Sequence, residues 1–299
     1  MNTPVSENHA NSGLTCRFWP SILLLIPLLT TISDQAMAGA QISISPTRII
    51  FDGRTRSASV NLINRGNEAS TFRIAFERKR MTEDGQFELV KTPLPGEAFA
   101  DQMIRFSPRQ VVLPPGKSQV VRLLLRKPPN LADGEYRSHL LFSEVPKEAG
   151  KSIEAQTGNQ KQMSISIKPV LGISIPVIVR HGSTSADVQF VKYVLSNIGP
   201  DKSSGELMLT MKRTGNQSVY GDLLVTYKKD KDGKNGTVVA QMNGIAVYSP
   251  NYLRSVKLKL QTPKGVSLDG GTLDIVYRLN PAEGDKVLAQ GQVAVPARK

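Results

Sequence analysis

The 299-residue chain has one cysteine, one tryptophan and three histidines, and each scarcity removes a class of chemistry. Cys16, Trp19 and His9 all fall within the first twenty residues. From residue 20 onward there is no thiol, so a disulfide framework, thiol redox chemistry and a Cys/His nucleophile pair are excluded. Only His139 and His181 remain, too few for a cluster of zinc or copper ligands. No nucleophile-elbow pattern supports a Ser/His/Asp triad. Asp230, Asp232 and Asn235 suggest a calcium loop at first sight, but Gly233 and Gly236 miss its turn position and Gln241 stands where the bidentate Glu belongs. A charged hairpin tip is the better reading. No enzyme, metal or cofactor is expected.

Aromatic residues are also few, at 6%, and they are not interleaved with basic residues as a stacking surface for nucleic acid requires. The 38 Lys and Arg against 25 Asp and Glu give a formal charge of +13. The basic residues are scattered over strands and turns, which is how solvated faces look. The surplus suits attraction to acidic proteins or to an anionic envelope surface, not to nucleic acid.

What is present begins with a leader. A polar segment ending at Arg17 precedes an apolar run over residues 18–32, followed by Ala36, Met37, Ala38, Gly39 and Ala40. This is the layout of a secretory signal peptide, with cleavage after Ala38 or, preferably, Ala40. The apolar run is short for a spanning helix, so no integral membrane segment is expected after processing, a membrane anchor being the lesser alternative. Roughly 260 residues remain, enough for one large or two small domains at about 100–200 residues apiece.

That remainder shows no long helical period. Short alternating runs are punctuated by Gly, Pro, Asn and Asp, the pattern of an all-β sandwich. Runs at 41–51, 57–64, 71–78, 104–113, 118–125, 134–145 and 163–180 fill one immunoglobulin-like sandwich, with residues 81–103 read as a long connection. The small and polar residues 181–185 mark a boundary, giving domains at 41–182 and 186–299. The second repeats the style, with runs at 188–195, 205–212, 220–227, 237–248, 255–260, 271–277 and 287–295.

The run that organises the first domain is 163–180, MSISIKPVLGISIPVIVR. Every odd position from Met163 to Val179 is apolar or Pro169, a period of two. Pro169 and Pro176 cannot donate ladder hydrogen bonds, which places the strand at a sheet edge or at bulges. A long apolar edge strand is an aggregation hazard unless it has a use; the plainer alternative is a core strand kinked at its prolines.

The runs SPTRIIFDG (45–53), FSPRQVVLPPGKSQVVRLLLRKP (106–128) and GEYRSHLLF (134–142), with the strand ending VIVR, resemble the PapD-like periplasmic pilus-assembly chaperones. The GEYRSHL run is closer to the archaic and alternative branches of chaperone-usher systems. The resemblance covers most of 41–180 and is only architectural beyond it. It implies two immunoglobulin-like sandwiches set at an angle around a cleft, in the periplasm, with fimbrial subunits and an outer-membrane usher as partners. The last strand of the first domain is lent to a subunit that lacks its own. Ile165, Ile167, Leu171 and Ile173 would then enter the subunit's groove, and Ile175 to Val179 would return to the chaperone's own core.

Alternation alone leaves register free to slip by two residues. In the family the anchor is the subunit's carboxyl terminus, held by basic residues in the cleft. Arg48 matches one of them. The family's second position falls on Pro176 here, so Arg137 and Lys168 both stand as candidates, with His139 behind them as a structural hydrogen-bonder. Two rival readings are a fibre subunit or adhesin and a basic glycan-binding sandwich.

Overall fold

The computed structural model describes residues 42–146, 172–230, 236–280 and 284–297. These are strands and turns, with a single 3₁₀ turn at Asp101–Met103. The first sandwich comprises β1 (Ile42–Ser45), β2 (Ile49–Phe51), β3 (Ser57–Asn64), β4 (Ser70–Glu77), β5 (Lys79–Met81), β6 (Phe87–Leu89), β7 (Ile104–Ser107), β8 (Gln110–Leu113), β9 (Ser118–Leu125), β10 (Gly134–Val145) and β11 (Gly172–His181). One sheet runs β1-β3-β9-β7 and the facing one β2-β11-β10-β4-β8. Alternate side chains meet between them: Val60 and Leu62, Phe72 and Ile74, Val121 and Leu123, Leu140 and Phe142, Val177 and Val179. Each contributes roughly 1.5–3 kcal/mol by leaving water.

Two expected single strands are in fact pairs. Residues 41–51 break at Pro46, so β1 pairs antiparallel with β3 while β2 pairs parallel with β11 in the other sheet. Residues 104–113 break at Pro108 in the same way, β7 joining β9 and β8 joining β4. Proline removes the ladder donor and fixes φ, so each run changes sheet there without losing its apolar alternation. The long connection is not bare either: β5 and β6 form a hairpin closed at Gly85, whose φ of +85° only glycine adopts readily.

The second sandwich comprises β12 (Ala186–Ser196), β13 (Ser204–Gly215), β14 (Val219–Lys228), β15 (Thr237–Val247), β16 (Leu253–Gln261), β17 (Thr272–Arg278) and β18 (Val287–Ala294). Its sheets are β12-β13-β16 and β15-β14-β17-β18. Leu207, Leu209, Leu223, Val225, Leu258, Ile275 and Tyr277 fill its core. A smaller cluster of Ile178, Met81, Ala246 and Tyr248 joins the two sandwiches.

Polar contacts fix the same seam. The Glu135 carboxylate, only 1% exposed, accepts from the Ser218 amide at 3.1 Å, from the Ser218 hydroxyl, and from Arg180 Nε at 3.3 Å. The β5–β6 hairpin reaches across as well: the Ser255 amide donates to the Glu83 carbonyl at 2.8 Å, and Asn251 Nδ2 donates to the Met81 carbonyl.

Candidate functional site

The site follows from which way two strands face. Ile49 and Phe51 of β2 point into the first core, so Arg48 and Ile50 point the other way, towards the second sandwich. On β10, Leu140 and Phe142 point inward, and Arg137 and His139 share the outward face with Glu135.

There Arg48 and Arg137 meet one aromatic pair from the second sandwich. The Arg48 guanidinium carbon lies 4.3 Å from the Tyr220 ring centre and 5.6 Å from that of Tyr248, and the Arg137 carbon lies 4.0 Å from Tyr248. Burial raises the Tyr248 phenol above its ordinary value, against the pull of Arg48 and Arg137. The ring is therefore neutral, and its π face attracts both cations. Burial lowers the Arg137 guanidinium from its ordinary value, Arg48 acting the same way and Glu135 opposing it.

Neither arginine is satisfied. Among the described residues, Nε and Nη1 of both are buried without a hydrogen-bond partner, and Arg137 Nη2 donates to the Lys79 carbonyl at 3.3 Å. Two guanidiniums with buried free N–H groups, on strands separated by β11 and brought together over Tyr248, suit a carboxylate, which accepts in a bidentate fork and supplies the missing charge. Among the described residues no three His, Asp or Glu side chains are grouped to hold a metal ion.

His139 is 3% exposed, and it does not act as the expected structural hydrogen-bonder. Among the described residues both ring nitrogens lack a hydrogen-bond partner; the ring meets Phe87 edge-on at 5.2 Å between centres. Burial, with Arg137 and Lys79 beside it, pushes the imidazole down to about 3. Unfolded, its value returns to about 6.5. Between these values only the unfolded chain takes up the proton, so the stability this group allows is complete above about pH 6.5 and declines as pH falls towards 3. Lowering pH from 7 to 5 is expected to remove about 2 kcal/mol of stability through His139. Urea melts at the two pH values should show that loss in the wild type, and His139→Phe should lack it.

The third part is the edge of β11. β10 pairs with it throughout, from Gly172 opposite Ser143 to His181 opposite Gly134. On the other side β2 reaches only Val177, Ile178 and Val179. Among the described residues, 172–176 therefore present an unpaired strand edge. Side-chain burial changes over the same stretch: Ile173 is 37% exposed, while Ile175 is 3% and Val177 and Val179 are 0% exposed. Lys168, Ile165, Ile167 and Leu171 lie outside the described residues, as does the leader.

Residues 41–180 match the family model described as the pili and flagellar-assembly chaperone, PapD N-terminal domain. The first sandwich belongs to the PapD family of pilus-assembly chaperones. Comparison with curated protein sequences gives no match. Among solved structures, a chain of a chaperone–tip adhesin complex of CFA/I fimbriae is 15% identical, with a TM-score of 0.43, covering 85% of this chain and 98% of that one. A chain of the archaic Csu chaperone–tip subunit complex of Acinetobacter baumannii is 14% identical (TM-score 0.41, covering 87% and 100%). The Pseudomonas aeruginosa CupB2 chaperone is 11% identical (TM-score 0.42, covering 86% and 100%).

Where this PapD-type sandwich meets the second one, the sequence singles out both arginines but neither tyrosine. Tyr220 lies near the start of β14 and Tyr248 just after β15, and nothing in their local pattern separates them from the chain's other tyrosines. Their role depends on the docking of two sandwiches.

Proposed function

We propose that this PapD-type chaperone lends β11 to a fimbrial subunit lacking its own final strand, caps it, and passes it to an outer-membrane usher. Residues 1–40 are removed on export and the protein works in the periplasm without cofactor or catalysis. The observation that carries this reading is the free edge of β11 at 172–176, where the apolar row changes from exposed Ile173 to buried Ile175. An added strand pairs its main chain with that edge while Ile173, and Leu171, Ile167 and Ile165 upstream, enter the subunit's groove.

Arg48 and Arg137 hold the subunit's terminal carboxylate and thereby set the register, which strand pairing alone leaves open. Lys168 remains a further anchor on the donated strand itself. The test is co-expression with a cognate subunit followed by co-purification. Arg48→Ala and Arg137→Met are each expected to lower subunit recovery at least tenfold. Neither should lower the melting temperature, because among the described residues neither guanidinium is ion-paired, Arg48 is only half-buried, and Met keeps most of the buried Arg137 stem volume. Normal recovery with both variants would remove the carboxylate anchor from the reading.

A further inference from the structure

Buried polar side chains almost always have partners, and His139 is a neutral one whose two ring nitrogens both lack a hydrogen bond among the described residues. Its neighbours on the sheet are otherwise engaged or of the wrong kind. Opposite it on β4 stands Glu77, which is ion-paired to Lys79 and accepts from Ser174 Oγ at 2.7 Å. Opposite it on β11 stands Pro176, which has no N–H. Arg137 offers only donors. The ring's cover is Phe87, 44% exposed and carried on a hairpin of two three-residue strands, so this side opens by moving one side chain.

We infer that His139 and Phe87 form a second contact for the partner's carboxyl-terminal segment, with the imidazole hydrogen-bonded to a backbone peptide group about two residues in from the carboxylate. The inference rests on the carboxylate reading of Arg48 and Arg137. A neutral imidazole carries one N–H and one lone pair. A peptide group supplies the matching acceptor and donor, whereas a second carboxylate would set its oxygen against the lone pair. The depressed pKa keeps the ring in that neutral form at neutral pH. Spacing agrees: two residues along β10 span about 7 Å, and so do two residues of an extended peptide. Phe87, displaced from the ring edge, becomes an apolar wall for a side chain of the bound segment.

The probe is N-acetyl-tetra-alanine with a free carboxylate, together with its carboxamide and an analogue in which the amide two residues in from the carboxylate is an ester. Binding to the full processed chain is followed by NMR titration at millimolar peptide. The wild type is expected to bind the free acid but not the carboxamide, to bind the ester about tenfold more weakly, and to show shifts of the His139 ring nitrogens. His139→Phe should bind the acid about tenfold more weakly and treat amide and ester alike, with a thermal melt at pH 7 confirming that it is folded. Equal amide and ester affinities in the wild type, or unchanged discrimination in His139→Phe, would overturn the His139 contact while leaving the anchor intact. If Arg48→Ala binds as well as the wild type, or the carboxamide binds as well as the acid, the carboxylate reading itself fails, and an absence of any shift in the wild type overturns both.

Discussion

Val177→Asp is expected to unfold the first sandwich and Ile173→Asp to leave it folded, although both residues lie on the same face of one strand. Val177 is fully buried between the sheets, with Ile49 as its partner across the parallel β2–β11 pair. A carboxylate there has no counter-ion within the apolar cluster around it. Its burial costs several kcal/mol against a total stability of about 5–15, so circular dichroism and thermal melts should show loss of the cooperative transition. Four residues earlier the side chain is 37% exposed at an edge that β2 does not reach. Ile173→Asp should change stability by about 0.5 kcal/mol or less while abolishing subunit capture, because a charge then enters an apolar groove. Equal destabilisation by the two substitutions would mean that β11 is core throughout.

The other large effect is expected at Glu135. Its carboxylate is almost wholly enclosed, yet it gathers the Ser218 amide and hydroxyl from one sandwich and Arg180 from the other. Glu135→Ala strips Arg180 of its nearer counter-ion, leaving Asp52 at 3.6 Å, and leaves the buried Ser218 amide unmet. Breaking a buried pair from one side costs about 3–5 kcal/mol. Because the Ser218 hydrogen bonds to Glu135 bridge the seam, calorimetry should show the two sandwiches melting separately in Glu135→Ala where the wild type melts as one. Glu135→Gln keeps an acceptor for Ser218 and should fall between. A single unshifted transition in the alanine variant would show that the hairpin contacts and the Tyr248 cluster alone join the sandwiches.

Strand positions were largely legible in the sequence because one buried face imposes a period of two. Residues 57–64, 118–125 and 134–145 are read directly from Val60 and Leu62, Val121 and Leu123, and Leu140 and Phe142. The splits at Pro46 and Pro108 were not legible, since the alternation runs on through each proline and only the tertiary fold says that the next residues join the opposite sheet. The β5–β6 hairpin was missed because three-residue strands are too short to show a period; only its turn at Glu83, Asp84 and Gly85 was visible. At the site, Arg48 and Arg137 stood out through the motifs around them. Tyr220 and Tyr248 did not, because each is defined by what lies across the seam; the unmet nitrogens of His139 did not, because they depend on which side chains β4, β11 and the β5–β6 hairpin set around the ring.

β10 also says how this protein can and cannot vary. Glu135, Arg137 and His139 occupy alternate positions on one face of a strand whose other face packs the core. The seam carboxylate, one arginine of the pair and the imidazole are thus mounted on a single ruler with two-residue divisions. Deleting Gly134 at the start of β10 shifts all three inward together and turns Leu140 and Phe142 outward, so a length change there has no partial phenotype. With Glu135 kept for the seam, substitutions at 137 and 139 change the groups offered to the proposed carboxyl-terminal segment one at a time while the strand's length stays fixed.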